Sequence, residues 1–128
     1  GLFTVKELRE QVVMLYSGRN AEAVLAEKNG EDLGVTTGAS NDIEKATGIT
    51  KKMITEYGMN ENFGLLNLEE LEIKPDVIAK EAVSLSKELC SESYNLMMDN
   101  ADTLKKIAEA LIEKETLTGE EIRKIAGK

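Results

Sequence analysis

Apolar residues in this chain recur three and four positions apart, and nowhere do they alternate. Val5, Leu8, Val12, Leu15 and Tyr16 form one stripe over three turns, the spacing of a helix that buries one face. Thr4 and Glu7 precede it as a capping box, hydroxyl and carboxylate each meeting an orphan backbone N–H. Ser17-Gly18 ends or dents this helix, while Ala21, Val24 and Leu25 carry the pattern onward. Residues 28–38, KNGEDLGVTTG, gather three glycines, three charges and two threonines and read as a loop.

A second long helix is expected from Ala39, with Ile43, Ala46, Thr50, Met53 and Tyr57 on one face and Gly58 as its C-terminal cap. Gly48 inside it costs roughly 1 kcal/mol against alanine. Residues 60–73 show no clear period and read as a connector. Pro75 suits a first helical turn, with Asp76 at the positive end of the dipole. The third helix then runs to about Met98, carrying Ile78, Ala82, Leu85, Leu89 and Leu96. Asp99-Asn100 caps a fourth with Leu104, Ile107, Ala108, Leu111 and Ile112 as its stripe. Thr118 and Glu121 form a second capping box, opening a short helix with Ile122 and Ile125. The pattern predicts an all-α chain, a single helical domain of about four to six helices joined by short loops.

Composition limits what this domain does. Its 128 residues carry 24 acids against 16 bases, a net charge of −8. Such a field repels phosphate backbones, so no nucleic-acid partner is expected. No apolar run reaches the length of a membrane span and no signal-peptide pattern opens the chain. One cysteine, Cys90, forms no internal disulfide and suits a reducing compartment. The sharpest limit is the absence of histidine. This chain alone supplies no imidazole base, no Ser-His or Cys-His pair and no histidine ligand to a metal.

Chemistry concentrates in Gly34-Val-Thr-Thr-Gly-Ala-Ser-Asn-Asp42, a loop entering a helix. Helix starts favour anions, yet Glu31, Asp32 and Asp42 oppose a dianion and no GKS or GKT follows the glycines. The alternative is a capped helix, with Thr37 or Ser40 as cap and Asp42 complementing the dipole. No calcium-loop pattern is present, and the helix acids are spaced as solvent faces. The five methionines read as core or gap filler and Cys90 as a buried structural residue.

The stretch from Val35 to Thr47, VTTGASNDIEKAT, continued by Met53-Ile-Thr-Glu-Tyr-Gly-Met59, closely resembles the FtsH family of membrane-anchored, ATP-dependent AAA+ zinc metalloproteases. Upstream, Ser17-Gly-Arg-Asn-Ala-Glu22 is similar to the family's Gly-Gly-Arg-x-Ala-Glu-Glu segment; downstream, residues 99–117 resemble its C-terminal helix. The resemblance spans nearly the whole chain in the right order, and its most specific part is Thr36 to Asp42.

That resemblance implies a mostly helical peptidase domain in which two histidines of H-E-x-x-H and a later aspartate hold zinc. It places that third ligand at Asp42, with Thr37, Ser40 and Asn41 as caps or outer partners of the site. Glu22, the first glutamate of the Ala-Glu-Glu segment, is a secondary candidate near the site and reads equally as an ordinary helix acid. The parent implied is a homo-hexamer that uses ATP and magnesium in an AAA+ module to deliver unfolded and membrane proteins to zinc. Its peptidase domain would face a reducing compartment, the bacterial cytoplasm.

Residues 2–128 would then be a fragment that begins after H-E-x-x-H, Gly1 being a tag remnant. Such a fragment is expected to be soluble, inactive, without zinc of its own, and a monomer or weak dimer. Three departures stand out: Ala23 replaces the second glutamate, Gly64-Leu65 replaces Gly-Pro, and the segment from Gly64 to Pro75 is shorter than is common. The alternative is a non-catalytic relative that keeps the helical scaffold for protein–protein assembly.

Overall fold

The computed structural model describes residues 3–31, 40–57 and 66–127. Five helices and no strand occur among them: α1 (Val5–Lys28), α2 (Ser40–Thr55), α3 (Pro75–Asp99), α4 (Ala101–Lys114) and α5 (Gly119–Ile125). The all-α expectation holds. Thr37, Ala39, Gly58 and Met59 lie outside the described residues, and with them two of the expected caps.

Both capping boxes form. The Glu7 N–H donates to Thr4 Oγ1 at 3.0 Å while the Thr4 N–H donates to the Glu7 carboxylate at 3.2 Å. Thr118 and Glu121 repeat the arrangement at 3.1 and 3.3 Å. Each cap contributes about 1 kcal/mol by satisfying donors that the helix leaves open. Pro75 opens α3, where its missing N–H costs nothing.

Ser17-Gly18 does not end α1, which runs unbroken for 24 residues. The Ser17 hydroxyl donates to the Met14 carbonyl at 2.6 Å, and Tyr16, Asn20 and Val24 keep burying the same stripe through the glycine. Packing on that stripe outweighs the roughly 1 kcal/mol that glycine costs a helix.

α1 is the hub, packing on α3 most extensively and on α2 and α4 as well, while α2 also meets α3. Leu8, Val12 and Tyr16 of α1, Ala46 and Met53 of α2 and Leu89 of α3 form the core, with Leu15, Ile49, Leu85 and Cys90 packed around it. Polar pairs fix the α1–α3 register. The Tyr16 and Ser86 hydroxyls lie 2.6 Å apart, Asn20 Nδ2 donates to the Cys90 carbonyl at 3.2 Å, and the Tyr94 hydroxyl donates to Glu27. Arg9 reaches Glu92 at 3.1 Å and Glu88 at 3.5 Å. Burial lowers the Arg9 pKa, but these two carboxylates more than offset it and raise the value.

Several predicted stripes shift by a residue or two. On α2 the buried face is Ala46, Thr50, Met53, Ile54 and Thr55; Ile43 is exposed, and so is Tyr57, which lies beyond the helix end. On α3, Ser93 takes the buried place one turn after Leu89, and Leu96 faces out. Leu111 and Ile112 of α4 are also exposed, Ile112 at 82%. The connector before α3 carries a core residue that no period announces. Leu68 is fully buried and its N–H donates to the Thr55 carbonyl at 2.8 Å. The Asn67 side chain accepts from the Glu69 and Glu70 N–H groups and sets that turn.

Candidate metal centre

α1 and α2 leave an open groove of about 840 Å³ between them. One wall is the α1 face that carries Glu7, Glu10, Gln11, Met14 and Leu15. The other is Asp42, Lys45, Gly48, Ile49 and Lys52, spaced three or four apart on one face of α2. Leu15 and Ile49 also pack against the core, so the groove floor is the core's outer surface. Met14, expected as filler, is instead 68% exposed in the groove. Met53, 1% exposed, fills the core as expected.

Asp42 stands in the first turn of α2, half-buried and at the end of this groove. Among the described residues its carboxylate accepts no hydrogen bond and joins no ion pair. Among the described residues it is bonded to no backbone N–H, and it stands beside the positive end of the helix dipole. No group of three histidine, cysteine, aspartate or glutamate side chains able to hold a metal occurs among the described residues. Asp42 therefore fits one ligand of a metal site whose other donors come from elsewhere, and does not make a site by itself. Zinc with three protein ligands and a water has that requirement.

The other predicted residues separate. Ser40 and Asn41 flank Asp42 in the first turn and are exposed. Thr37 lies outside the described residues. Glu22 is exposed on α1 and is not part of the groove lining, which stops at Leu15. Seven residues separate the two, about 10 Å along the helix axis.

Sequence reasoning missed Gln11, Met14, Lys45 and Ile49 as neighbours of Asp42. A signal was present: Gln11 and Met14 sit on an α1 face beside the Leu8–Val12–Tyr16 stripe, with Leu15 at the boundary between the two. Gly48 was read as a weakness in the helix, yet it lines the groove, and a Cβ built there meets no atom within 4 Å.

The described helices thus form an open groove lined by three carboxylates, of which Asp42 alone stands on α2. The sequence model of peptidase family M41 matches residues 1–125, and the chain belongs to that family. It is 37% identical to the ATP-dependent zinc metalloprotease FtsH 1 of Thermoanaerobacter sp. (strain X514), over 93% of this chain and 21% of that protein. It is 36% identical to the ATP-dependent zinc metalloprotease FtsH of Rubrobacter xylanophilus, over 93% of this chain and 20% of the relative. With FtsH 4 of Synechocystis sp. the identity is 31%, over 98% and 22%. The chain thus spans about a fifth of the length of the curated relatives it matches. None of the described helices is long and apolar enough to cross a membrane.

Proposed function

We propose that this chain is the C-terminal helical part of the peptidase domain of an ATP-dependent zinc metalloendopeptidase, and that Asp42 is a carboxylate ligand to its zinc. The observation that carries this is half-buried Asp42 at the end of the α1–α2 groove, its carboxylate without a hydrogen bond or ion pair among the described residues. The names of the relatives, which join ATP, zinc and proteolysis, support it. In the whole protein the two remaining protein ligands and the glutamate base belong to an H-E-x-x-H helix outside residues 2–128. The open groove, with exposed Met14 and the uncovered Gly48, offers room for such a helix beside Asp42.

When bound, zinc supplies Lewis acidity, polarising a peptide carbonyl and acidifying a water. Asp42 would present a carboxylate to the cation from a rigid helix end. The whole protein would be a membrane-anchored homo-hexamer with its peptidase domain in the bacterial cytoplasm, fed with unfolded and membrane proteins by ATP and magnesium in an AAA+ module. Residues 2–128 alone would be inactive, a monomer or weak dimer. The test is Asp42→Asn in the full-length protein. Proteolysis should be abolished while ATP hydrolysis persists; proteolysis at the wild-type rate would overturn the assignment and make Glu22 the next residue to replace.

A further inference from the structure

Hydrolysis of a peptide bond places negative charge on the scissile carbonyl oxygen, and a site that performs it needs donors or cations aimed at that oxygen. The described lining of the groove is poor in them. Glu7, Glu10 and Asp42 only accept when ionised, and Met14, Leu15 and Ile49 donate nothing. Gln11 offers a neutral amide, and this chain has no histidine. Two cations remain among the lining residues, Lys45 and Lys52. They are not equivalent. Lys45 lies three residues from Asp42, about 4.5 Å along the helix axis and on the same face. Lys52 lies ten residues away, about 15 Å along that axis.

We propose that Lys45 is a catalytic residue of this groove: its ammonium stabilises the negative charge that develops on the carbonyl oxygen of a polypeptide held beside Asp42. The inference rests on the reading of Asp42 as part of the hydrolytic site. Addition of water to the carbonyl carbon moves the C=O π pair onto oxygen. The pair returns as the C–N bond breaks and the amine leaves with a proton taken from that water. Lys45 exchanges neither proton nor electron pair in this sequence; it acts while the charge is present. The flexible four-carbon stem and three rotatable donors suit a target that moves during reaction. Among the described residues Lys45 joins no ion pair and its side chain donates no hydrogen bond, so its ammonium is available.

The experiment uses the full-length protein with Lys45→Met, Lys45→Arg and Asp42→Asn. Its readouts are kcat and KM on unfolded casein, bound zinc, and the affinity of a phosphinic peptide, whose tetrahedral anion mimics the charged oxygen, against a matched reduced-amide peptide. Lys45→Met should lower kcat by about a hundredfold, the scale seen when one oxyanion donor is removed, with KM and zinc content unchanged. It should weaken the phosphinic peptide and leave the reduced-amide peptide alone, and Lys45→Arg should recover most of both losses. Wild-type kcat in Lys45→Met, a loss confined to KM, or a loss of bound zinc would each overturn the role. Normal proteolysis by Asp42→Asn would instead overturn the reading on which it rests, so the two failures are distinguishable. Because Lys45 is exposed, an unchanged circular dichroism spectrum is expected for both its variants.

Discussion

Asn20 on α1 donates from Nδ2 to the main-chain carbonyl of Cys90 on α3 at 3.2 Å, and the same nitrogen lies 3.8 Å from the Cys90 sulfur. Asn20 is 7% exposed. One buried amide thus pins the two helices that share the most contact, at a level between the Tyr16–Ser86 and Tyr94–Glu27 pairs. Asn20→Ala should cost about 2 kcal/mol, because it removes this hydrogen bond and leaves a small void. Urea unfolding measures it, and an unchanged midpoint would contradict the pinning role.

Thr50 predicts the opposite sign. Among the described residues its buried Oγ1 has no hydrogen-bond partner, in a residue 1% exposed on the α2 core face. Thr50→Val keeps the shape and the helix propensity while removing an unsatisfied hydroxyl, so stability should rise by roughly 1 kcal/mol. A loss of stability would mean that the hydroxyl has a partner.

Glu115 ends α4 at φ 68° and ψ −38°, a backbone region that side chains rarely adopt. Glu115→Gly should relieve that strain and raise the thermal midpoint, by an amount equivalent to about 1 kcal/mol. A lowered midpoint would show that the Glu115 side chain does more for the α4–α5 turn than the strain takes away.

Two surface pairs set opposite pH responses. The Lys114 ammonium, 2.6 Å from Glu121, and then the Thr118 N–H hold the Glu121 carboxyl below its ordinary value. A lowered carboxyl stabilises the fold above the unfolded glutamate value, near about pH 4.3, and that contribution is lost as pH falls through the folded value. The Tyr94 hydroxyl, donating to Glu27, is raised above its ordinary value. A raised phenol stabilises the fold below the unfolded tyrosine value, near about pH 10, and that contribution is lost as pH rises through the folded value. Glu121→Gln should flatten the acid limb of the thermal midpoint against pH, and Tyr94→Phe the alkaline limb. An acid limb unchanged by Glu121→Gln, or an alkaline limb unchanged by Tyr94→Phe, would count against that pair.

Helix number, helix order and the two capping boxes were legible because each rests on local chemistry, whereas Asn100 begins α4 without a side-chain cap bond. Thr4–Glu7, Pro75 and Thr118–Glu121 act within one turn of chain, and apolar spacing reports one buried face at a time. What the spacing could not reveal was which of two adjacent apolar faces on α1 meets α3 and which borders the groove, since Met14 and Val12 look alike in sequence. Leu68 was invisible for a related reason, being held by a single tertiary hydrogen bond and not by a period. Asp42 was reached through a family motif; that it shares a groove with Lys45 and with the Glu7–Leu15 face of α1 needed the packing of α2 on α1.

The central claim is that Asp42 is a ligand and not a cap. Its most direct test is the zinc affinity of the full-length protein, read by competition with a chromogenic chelator, for the wild type and Asp42→Asn. Outer partners of zinc ligands are worth about 10- to 100-fold in affinity, so loss of a direct ligand should weaken binding by at least about a hundredfold. Wild-type affinity in Asp42→Asn would contradict the account.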